Sequence, residues 1–528
     1  MHRAFFFCYS CSPCLPPRSR EARAPAHQIN CAPTMAPTNN PKINLIRGAA
    51  WTIGTRWLIK GLGFINTVIM ARLLMPEDYG IVAMGMLVVG LIQTFLDFGP
   101  GTALLRKAEV TRDEIDSAWT LGIIQGMGAG LVLMIALPLA VDYFKEPRLT
   151  FVLWSLAASV IFISFGNIGQ ILARKEFIYT LDFKIATLTK IASVVTTVIA
   201  GLMLRDYRAL VVGIIAGYTV PVFLSYLWHP YRPRWDTSKI GEIWTLTKWL
   251  MVARVGQFIL RKGDELIAAR IGTTHQFGIY NVGSDFGQMP VGEIGPAMLK
   301  ALLPVLSSLQ GNIERTNQAV IKTIAAINTV IWPIGLGFMA IAAQATEIAL
   351  GSKWLEAVPF VSLFALASVL QTMTSPANTL LILHGHTRSQ SQIVWIEFAS
   401  FVLAALALVP GFHLIGLALA RILSSAVSSF VTLLYTQKIC QLSMAPALKT
   451  IGRPLVGAAL MYGLVTYMIT PLPGMITSPA LGLAAAILSG AVFFMLWSLI
   501  SWHLIGRPEG LESTIMDKLT QWRMSRCH

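Results

Sequence analysis

The stretch ARLLMPEDYGIVAMGMLVVGLIQTFLDFGPGTALL (71–105) contains the two features that decide the fold. A polar break, MPEDYG at 75–80, is followed by an apolar run that continues to residue 104. An α-helix rises about 1.5 Å per residue, so about twenty apolar residues cross the roughly 30 Å hydrocarbon core of a bilayer. We therefore interpret residues 79–104 as a transmembrane helix that follows a short polar loop.

Apolar runs of this length recur along the chain from residue 48 onward, and short polar segments separate them. Such runs are typical of transmembrane helices. They lie at 48–71, 79–104, 117–141, 149–172, 183–204, 209–228, 244–269, 278–306, 319–343, 355–383, 390–410, 412–436, 450–470 and 477–505. The sequence therefore predicts an all-α integral membrane protein with about fourteen transmembrane helices.

The composition agrees with a membrane protein and argues against a nucleic-acid-binding one. Hydrophobic residues make up 55% of the chain and charged residues 13%, and the mean hydropathy is +0.63. A soluble domain carries roughly 25% charged residues. The net charge of +15 comes from Lys and Arg in short loops between apolar runs, rather than from a basic soluble face interleaved with aromatic residues. We therefore expect no nucleic-acid partner.

The distribution of Lys and Arg between alternate loops predicts the orientation, because cytosolic loops carry an excess of them. With the N-terminus in the cytosol, the cytosolic loops contain Arg106, Lys107, Arg112, Arg174, Lys175, Lys184, Arg232, Arg234, Lys239, Arg315, Lys322, Arg388, Lys438, Lys449 and Arg453. The opposite side contains Arg72, Lys145, Arg148, Arg205, Arg208, Arg270 and Lys353. This excess predicts a multi-pass membrane protein with both termini in the cytosol.

An internal repeat appears when the sequence is displaced by 198 residues. ARLLMPEDYGIVAMG (71–85) then aligns with ARIGTTHQFGIYNVG (269–283), and Arg56 aligns with Arg254. Twelve of 55 positions are identical without a gap. Six predicted helices separate the copies, so both cross the membrane in the same direction. This predicts two six-helix lobes related by an axis along the membrane normal, with a site between them.

The repeat and the loops together predict the domain organisation. Residues 1–34, which contain four of the six cysteines, are expected to be a disordered tail or an upstream extension preceding a start at Met35. The predicted units are a cytosolic N-terminus at 35–47, lobes at 48–229 and 243–437, two additional helices at 449–505 and a cytosolic tail at 506–528. The two additional helices have no counterpart in the repeat.

Four cations within the predicted helices are candidate substrate-binding residues. A charged side chain at membrane depth costs at least about 2.5–3.5 kcal/mol, so it requires a reason. Arg56 and Lys60 lie one turn apart in the first helix, and Arg254 and Arg261 lie two turns apart in the seventh. Guanidinium groups bind phosphate oxygens in pairs, which favours an anionic substrate in a central cavity. The alternative is that these side chains form ion pairs between helices or extend to the lipid headgroups.

Five carboxylates within the predicted helices are candidates for ion coupling or for lining the cavity. They are Asp97, Asp264, Glu265, Asp285 and Glu397. Lys262 beside Asp264 and Glu265 could instead form a structural ion pair. The sequence contains no P-loop, no paired histidines at metal-ligand spacing and no Gly-x-Ser-x-Gly element. We therefore expect a protein that is not an enzyme and that uses neither a metal nor a cofactor.

Several segments resemble the Wzx-like oligosaccharide flippases, the polysaccharide transporter branch of the multidrug/oligosaccharidyl-lipid/polysaccharide exporter superfamily. The resemblance covers about residues 45–440 and depends on the order and spacing of its segments. These are GAAWTIGTRW (48–57), ARLLMPEDYGIVAM (71–84), LDFGPGTALLRK (96–107), DELIAARIGTTHQFGIYNVG (264–283), LLPVLSSLQ (302–310) and LGSKWLEAVPF (350–360).

The resemblance implies translocation of an isoprenoid-pyrophosphate-linked oligosaccharide from the cytosolic to the outer leaflet, for lipopolysaccharide, O-antigen or exopolysaccharide synthesis. It implies a cationic cavity to which Arg56, Lys60, Arg254 and Asp264 contribute, and two further helices that line a groove for the lipid. Membrane lipids, a polysaccharide polymerase and glycosyltransferases are the expected partners. Two alternatives remain open: a multidrug or metabolite cation antiporter of the same superfamily, and a membrane-embedded glycan polymerase or ligase.

Overall fold

The computed structural model describes residues 41–96, 100–107, 109–176, 178–292, 294–295, 313–469 and 479–504, and within these ranges it contains no β-strand. The helices are α1 (Pro41–Leu73), α2 (Pro76–Leu96), α3 (Pro100–Arg106), α4 (Arg112–Phe144), α5 (Leu149–Ser164), α6 (Gly169–Lys175), α7 (Tyr179–Leu204), α8 (Arg208–Trp228), α9 (Ile240–Ile271), α10 (Thr274–Gly292), α11 (Ile313–Ala340), α12 (Ala342–Ala349), α13 (Val358–Thr372), α14 (Ser375–Leu383), α15 (Thr387–Cys440), α16 (Met444–Ile469) and α17 (Pro479–Leu504). The predicted terminal segments 1–34 and 506–528 lie outside the described residues.

Every predicted span coincides with helix over most of its described residues. Seven of the described helices are long and apolar enough to cross a bilayer, and the bent pair α5–α6 adds an eighth. The long run α15 counts once among these, although it consists of two helices that meet at His413, where the backbone leaves the helical region (φ 49°, ψ −128°). Helix α1 begins at Pro41, so part of the predicted cytosolic segment 35–47 is helical.

The predicted span 149–172 is not one straight helix, because α5 and α6 meet at an angle of 57°. Asn167 lies at this break. Its side-chain oxygen accepts a hydrogen bond from the backbone N–H of Gly169 at 2.9 Å, and its amide donates to the carbonyl of Tyr231 at 2.7 Å. An Asn side chain can replace helical hydrogen bonds in this way, and a hydropathy pattern does not report it.

The loop at 229–239 between the two predicted lobes is attached to the start of α4. The buried carboxylate of Asp116 accepts hydrogen bonds from the Tyr231 hydroxyl at 2.7 Å and from the Arg234 backbone N–H at 3.1 Å. The Ser117 hydroxyl accepts from the backbone N–H of Lys239 at 3.1 Å. These hydrogen bonds therefore fix the loop to the N-terminal half.

Helices α2 and α10 cross in direct backbone contact at Gly80 and Gly278. A Cβ atom on Gly80 would overlap the carbonyl oxygen of Thr274, and a Cβ atom on Gly278 would overlap that of Pro76. Only glycine permits this approach. Gly80 aligns with Gly278, and Pro76 with Thr274, in the 198-residue register. The contact is therefore made by equivalent residues of the two repeats.

Helices α1 and α9 are tightly packed beside this crossing and open at their other ends. Met70 and Ala71 of α1 and Ala268 and Ala269 of α9 are at most 1% exposed. Toward the N-terminal ends of the two helices, a Cβ atom would meet no atom within 4 Å at Gly54, Gly61, Gly256 or Gly263. Both helices are therefore buried beside the α2–α10 crossing and have unfilled space beside them toward their N-terminal ends, and we interpret this space as a cleft that the crossing closes.

Candidate substrate cleft

Helices α9 and α10 carry a cluster of charged side chains beside the cleft. The Lys262 ammonium forms an ion pair of 2.5 Å with Glu265, which lies one turn later on the same face of α9. The other oxygen of Glu265 is 3.4 Å from the side-chain nitrogen of Asn281 on α10. The Tyr280 hydroxyl donates to the buried carboxylate of Asp264 at 3.1 Å. The predicted pairing of Lys262 is thus confirmed for Glu265.

Helix α1 joins this cluster through Lys60. Asp285 of α10 is solvent-exposed and lies within electrostatic range of both Lys60 and Lys262. One turn along α1, Phe64 stacks on Phe286 of α10, with ring centroids 6.2 Å apart and planes 4° from parallel. The structure therefore brings Lys60, Asp264, Glu265 and Asp285 into one region, although they lie on three helices.

Two of the candidate arginines, Arg56 and Arg261, differ from this cluster because their side chains are exposed. Arg56 on α1 and Arg261 on α9 have no hydrogen bond or ion pair with any residue in the described part of the chain. Arg254 lies on α9, but its side chain is outside the described residues. Arg56 and Arg261 are therefore available to bind a ligand in the cleft, whereas the nearby Lys60 and Lys262 face carboxylates of the protein.

Two further candidates do not join the cluster. Glu397 is buried and accepts a hydrogen bond from Ser428 at 2.9 Å, so its partner lies on the same helical run, α15. This contact holds the two helices of that run together. Asp97 lies outside the described residues.

The closed end of the cleft is held by two arginines that correspond in the repeat. Arg72 donates to the carbonyl of Ile348 at 2.5 Å, at the end of α12, and Arg270 donates to the carbonyl of Tyr143 at 2.9 Å, at the end of α4. Each arginine therefore reaches from one half of the chain to a helix end in the other half. A cation is favourable there, because a helix C-terminus is the negative end of its dipole.

Further contacts between the two halves lie near Arg72 and Arg270. The ring N–H of the fully buried Trp354 donates to the carbonyl of Ala71 at 2.9 Å. The Thr274 hydroxyl donates to the carboxylate of Glu146 at 2.8 Å. His275 lies 3.3 Å from Glu356 and 4.0 Å from Glu77, the residue with which it aligns in the repeat. The closed end is therefore rich in specific polar contacts, whereas the open end carries exposed cations.

Sequence analysis did not single out Lys190. This lysine lines a separate, open cavity of about 400 Å³ that is bordered by α1, α6, α7 and α8. It lies near the middle of α7, about seven residues inside the predicted span 183–204. The signal that could have found it is a charge at that depth in an apolar run.

The cleft is suited to binding and releasing an anion. Exposed guanidinium groups can bind phosphate oxygens, and carboxylates within reach of Lys60 and Lys262 can compensate these cations when no ligand is present. Within the described ranges, no group of three or more His, Cys, Asp or Glu side chains could hold a metal ion. Charge complementarity with an anion is the chemistry that the exposed arginines offer.

Comparison with known proteins gives the family. Residues 69–359, more than half of the chain, match the polysaccharide biosynthesis protein family. The chain belongs to this family. The matched region begins near the end of α1 and ends at the start of α13, so it includes the α2–α10 crossing and the part of the charged cluster that lies on α9 and α10. The resemblance inferred from the sequence segments is confirmed.

Two curated relatives carry names from biosynthesis and transport. The succinoglycan biosynthesis transport protein ExoT of Rhizobium meliloti is 22% identical over 475 residues, which cover 88% of this chain and 95% of ExoT. The lipopolysaccharide biosynthesis protein WzxC of Escherichia coli is 21% identical over 345 residues, which cover 64% of this chain and 69% of WzxC.

A solved structure shares the fold. The lipid II flippase MurJ, in an inward closed conformation, superposes with a TM-score of 0.70 at 14% identity, covering 87% of this chain and 99% of MurJ. Together with the apolar helices, this similarity establishes an all-α, multi-pass membrane protein in the polysaccharide biosynthesis family.

Proposed function

We propose that this protein is a flippase that moves an isoprenoid-pyrophosphate-linked oligosaccharide across the bacterial inner membrane, for lipopolysaccharide, O-antigen or exopolysaccharide biosynthesis. The observation that carries the proposal is a cleft closed at one end and bordered at the other by the exposed cations Arg56 and Arg261. Such a cleft suits a pyrophosphate group that must be bound on one side and released on the other. The family membership and the polysaccharide transport roles of its relatives support it.

The proposal includes two six-helix lobes at 48–229 and 243–437, with two additional helices at 449–505. Support comes from the Gly80–Gly278 contact, because equivalent residues of the two repeats meet there. Arg72 and Arg270 add a second equivalent pair, since each reaches into the other half. A parallel repeat of this kind suits alternating access, in which the lobes rock about a central site.

We further propose that the cleft opens to the cytosol. The N-terminal parts of α1 and α9 form its open end, and the excess of Lys and Arg in alternate loops predicts a cytosolic N-terminus. Lipid-linked oligosaccharides are assembled on that side, so glycosyltransferases would supply the substrate and a polymerase would consume the product. Membrane lipids would surround the apolar faces of the helices.

Within the cleft, we assign substrate binding to Arg56, Lys60, Arg254 and Arg261. Arginine stays charged when partly desolvated and can form two parallel hydrogen bonds to a phosphate group. We assign Asp264, Glu265 and Asp285 to charge compensation or ion coupling. A carboxylate that pairs with Lys262 in the empty protein can release it when a phosphate group takes its place. The protein would then act without catalysis.

The test is export of surface polysaccharide in a host whose own gene is deleted. Arg56→Ala and Arg261→Ala should each lower export by about tenfold or more, because each removes charged hydrogen bonds to phosphate. Arg56→Lys should retain part of the activity. Arg388→Ala, which removes an exposed arginine at the start of α15, is the matched control and should export normally. Membrane abundance must be equal in all strains, and normal export by both alanine variants would exclude this site.

A further inference from the structure

The cavity that contains Lys190 is separate from the cleft, because α1 lies between them. Ile59 of α1 lines the cavity, and a Cβ atom on Gly63 would lie 3.5 Å from the Lys190 ammonium nitrogen. Lys60 and Phe64, on a different side of the same helix, face Asp285 and α10. The cavity of about 400 Å³ therefore lies within the N-terminal half.

Among the residues that the structure describes, none forms a hydrogen bond or ion pair with Lys190 that would explain its position. It lies eleven residues after the start of α7, a helix that is apolar enough to cross a bilayer, so it is roughly 16 Å from that end. A lysine at this depth is too far inside to extend fully to the headgroups. It makes no hydrogen bond or ion pair with a residue in the described part of the chain. A half-buried ammonium group without a counterion is costly in a membrane helix.

Other polar atoms of the cavity also lack partners. The Thr189 hydroxyl and one carboxylate oxygen of Asp182 are buried without a hydrogen bond among the described residues. The other oxygen of Asp182 pairs with Arg174 at 2.6 Å. Pro221 within α8 has no N–H to offer the carbonyl four residues earlier, which belongs to Gly217. All these residues line the cavity, so it offers donors beside Lys190 and acceptors at Asp182 and Gly217.

We propose that this cavity is a second binding site, for a phosphoryl group that carries hydroxylated substituents. Lys190 and Thr189 would bind the phosphate oxygens, and the Asp182 carboxylate and the Gly217 carbonyl would accept hydrogen bonds from hydroxyl groups. An uncharged sugar would leave Lys190 without a counterion, and a simple anion would leave the acceptors unused. This chemistry occurs in a sugar phosphate and in a glycerophosphate lipid headgroup. The site does not depend on the flippase proposal.

Two probes distinguish these sources in binding to the purified full-length protein. Glucose 1-phosphate is titrated in detergent, and phosphatidylglycerol is titrated in phosphatidylcholine nanodiscs. Lys190→Met should weaken binding of the effective probe by about tenfold or more, because a charged hydrogen bond is lost. Lys190→Arg should retain most of it. Lys184→Met is the matched control, because Lys184 is exposed on the same helix and does not line the cavity.

Binding of glucose 1-phosphate identifies a sugar phosphate as the ligand, and binding of phosphatidylglycerol alone identifies a lipid headgroup; either supports the site. The proposal is overturned if neither probe binds better than phosphatidylcholine, or if Lys190→Met binds as the native protein does. If Lys190→Met does not fold, Thr189→Val replaces it, since it removes only the hydroxyl group. Neither outcome bears on polysaccharide export, which the Arg56 and Arg261 variants test independently.

Discussion

Replacing Gly278 by alanine should open the closed end of the cleft. The added methyl group would overlap the carbonyl oxygen and carbon of Pro76, which are backbone atoms and cannot rotate away. Helices α2 and α10 must therefore separate. Overpacking typically costs about 1–3 kcal/mol, and a backbone obstacle places this change at the upper end. Alanine recovers up to about 1 kcal/mol through its higher helix propensity.

The steric cost of about 3 kcal/mol applies only to conformations in which the two helices touch, whereas the gain in helix propensity is common to the closed and open states. The population of the closed state relative to an open-ended state should therefore fall by roughly 150-fold. Ala71 is a suitable reporter because it is fully buried at the closed end. In a protein whose six native cysteines are replaced by serine, Ala71→Cys should react with a maleimide much faster when Gly278→Ala is present.

A matched control separates this effect from a general effect of alanine in helices. A Cβ atom on Gly128 of α4 would meet no atom within 4 Å, so Gly128→Ala adds the same methyl group without an obstacle. It should leave the labelling rate unchanged and should not lower the melting temperature. Equal labelling rates for Gly278→Ala and Gly128→Ala would refute the assignment of the α2–α10 crossing as the contact that closes this end of the cleft.

The same labelling assay tests two other parts of the closed end. Arg72→Ala and Arg270→Ala each remove an exposed hydrogen bond between the halves, so each should destabilise the closed end by about 0.5–1.5 kcal/mol and accelerate labelling. If the double variant is labelled no faster than either single variant, the two arginines do not stabilise the closed end independently. Arg148, mainly through a side-chain hydrogen bond, lowers the pKa of Glu146 below its ordinary value of 4.5. The contribution of Glu146 to the closed end is therefore present above pH 4.5 and is lost as the pH falls through the lowered value. Protonation of the thiol slows labelling in acid, so the Ala71→Cys rate is divided by the rate of the same reporter with Glu146→Gln at each pH, and this ratio should rise as the pH falls.

Hydropathy and the repeat predicted much of the fold, because both depend on chemistry that is local in sequence. A membrane helix must be apolar over its whole length, so the positions of α4, α7 and α8 follow directly from the apolar runs. The 198-residue register aligned Gly80 with Gly278 from identity alone. That these glycines touch each other depends on the packing of two helices, which the alignment could not show.

The site was predicted less completely, because partners depend on contacts between distant segments. Charge at membrane depth pointed to Lys60 and Asp285, and the structure brings both into one cluster. The same criterion also pointed to Glu397. Its partner Ser428, however, lies on the same helical run, and their hydrogen bond joins the two helices of that run. Lys190 carries the same signal, a charge within an apolar run, but only the packing of α1, α6, α7 and α8 shows that it lines a cavity.

The charged cleft and the closed end are mechanically connected, because the same two helices form both. Along α1, Lys60 precedes Ala71 by eleven residues, roughly 16 Å of rigid helix. Trp354 from the other half holds Ala71, and Arg270 at the end of α9 holds α4. Separating α2 from α10 must therefore move α1 and α9 and change the distance between Lys60 and Lys262. Since coupling between two sites is reciprocal, a phosphate group bound between these cations must in turn change the stability of the closed end. A phosphate group that bound more tightly to the conformation in which α2 and α10 are apart would thereby favour opening of the closed end.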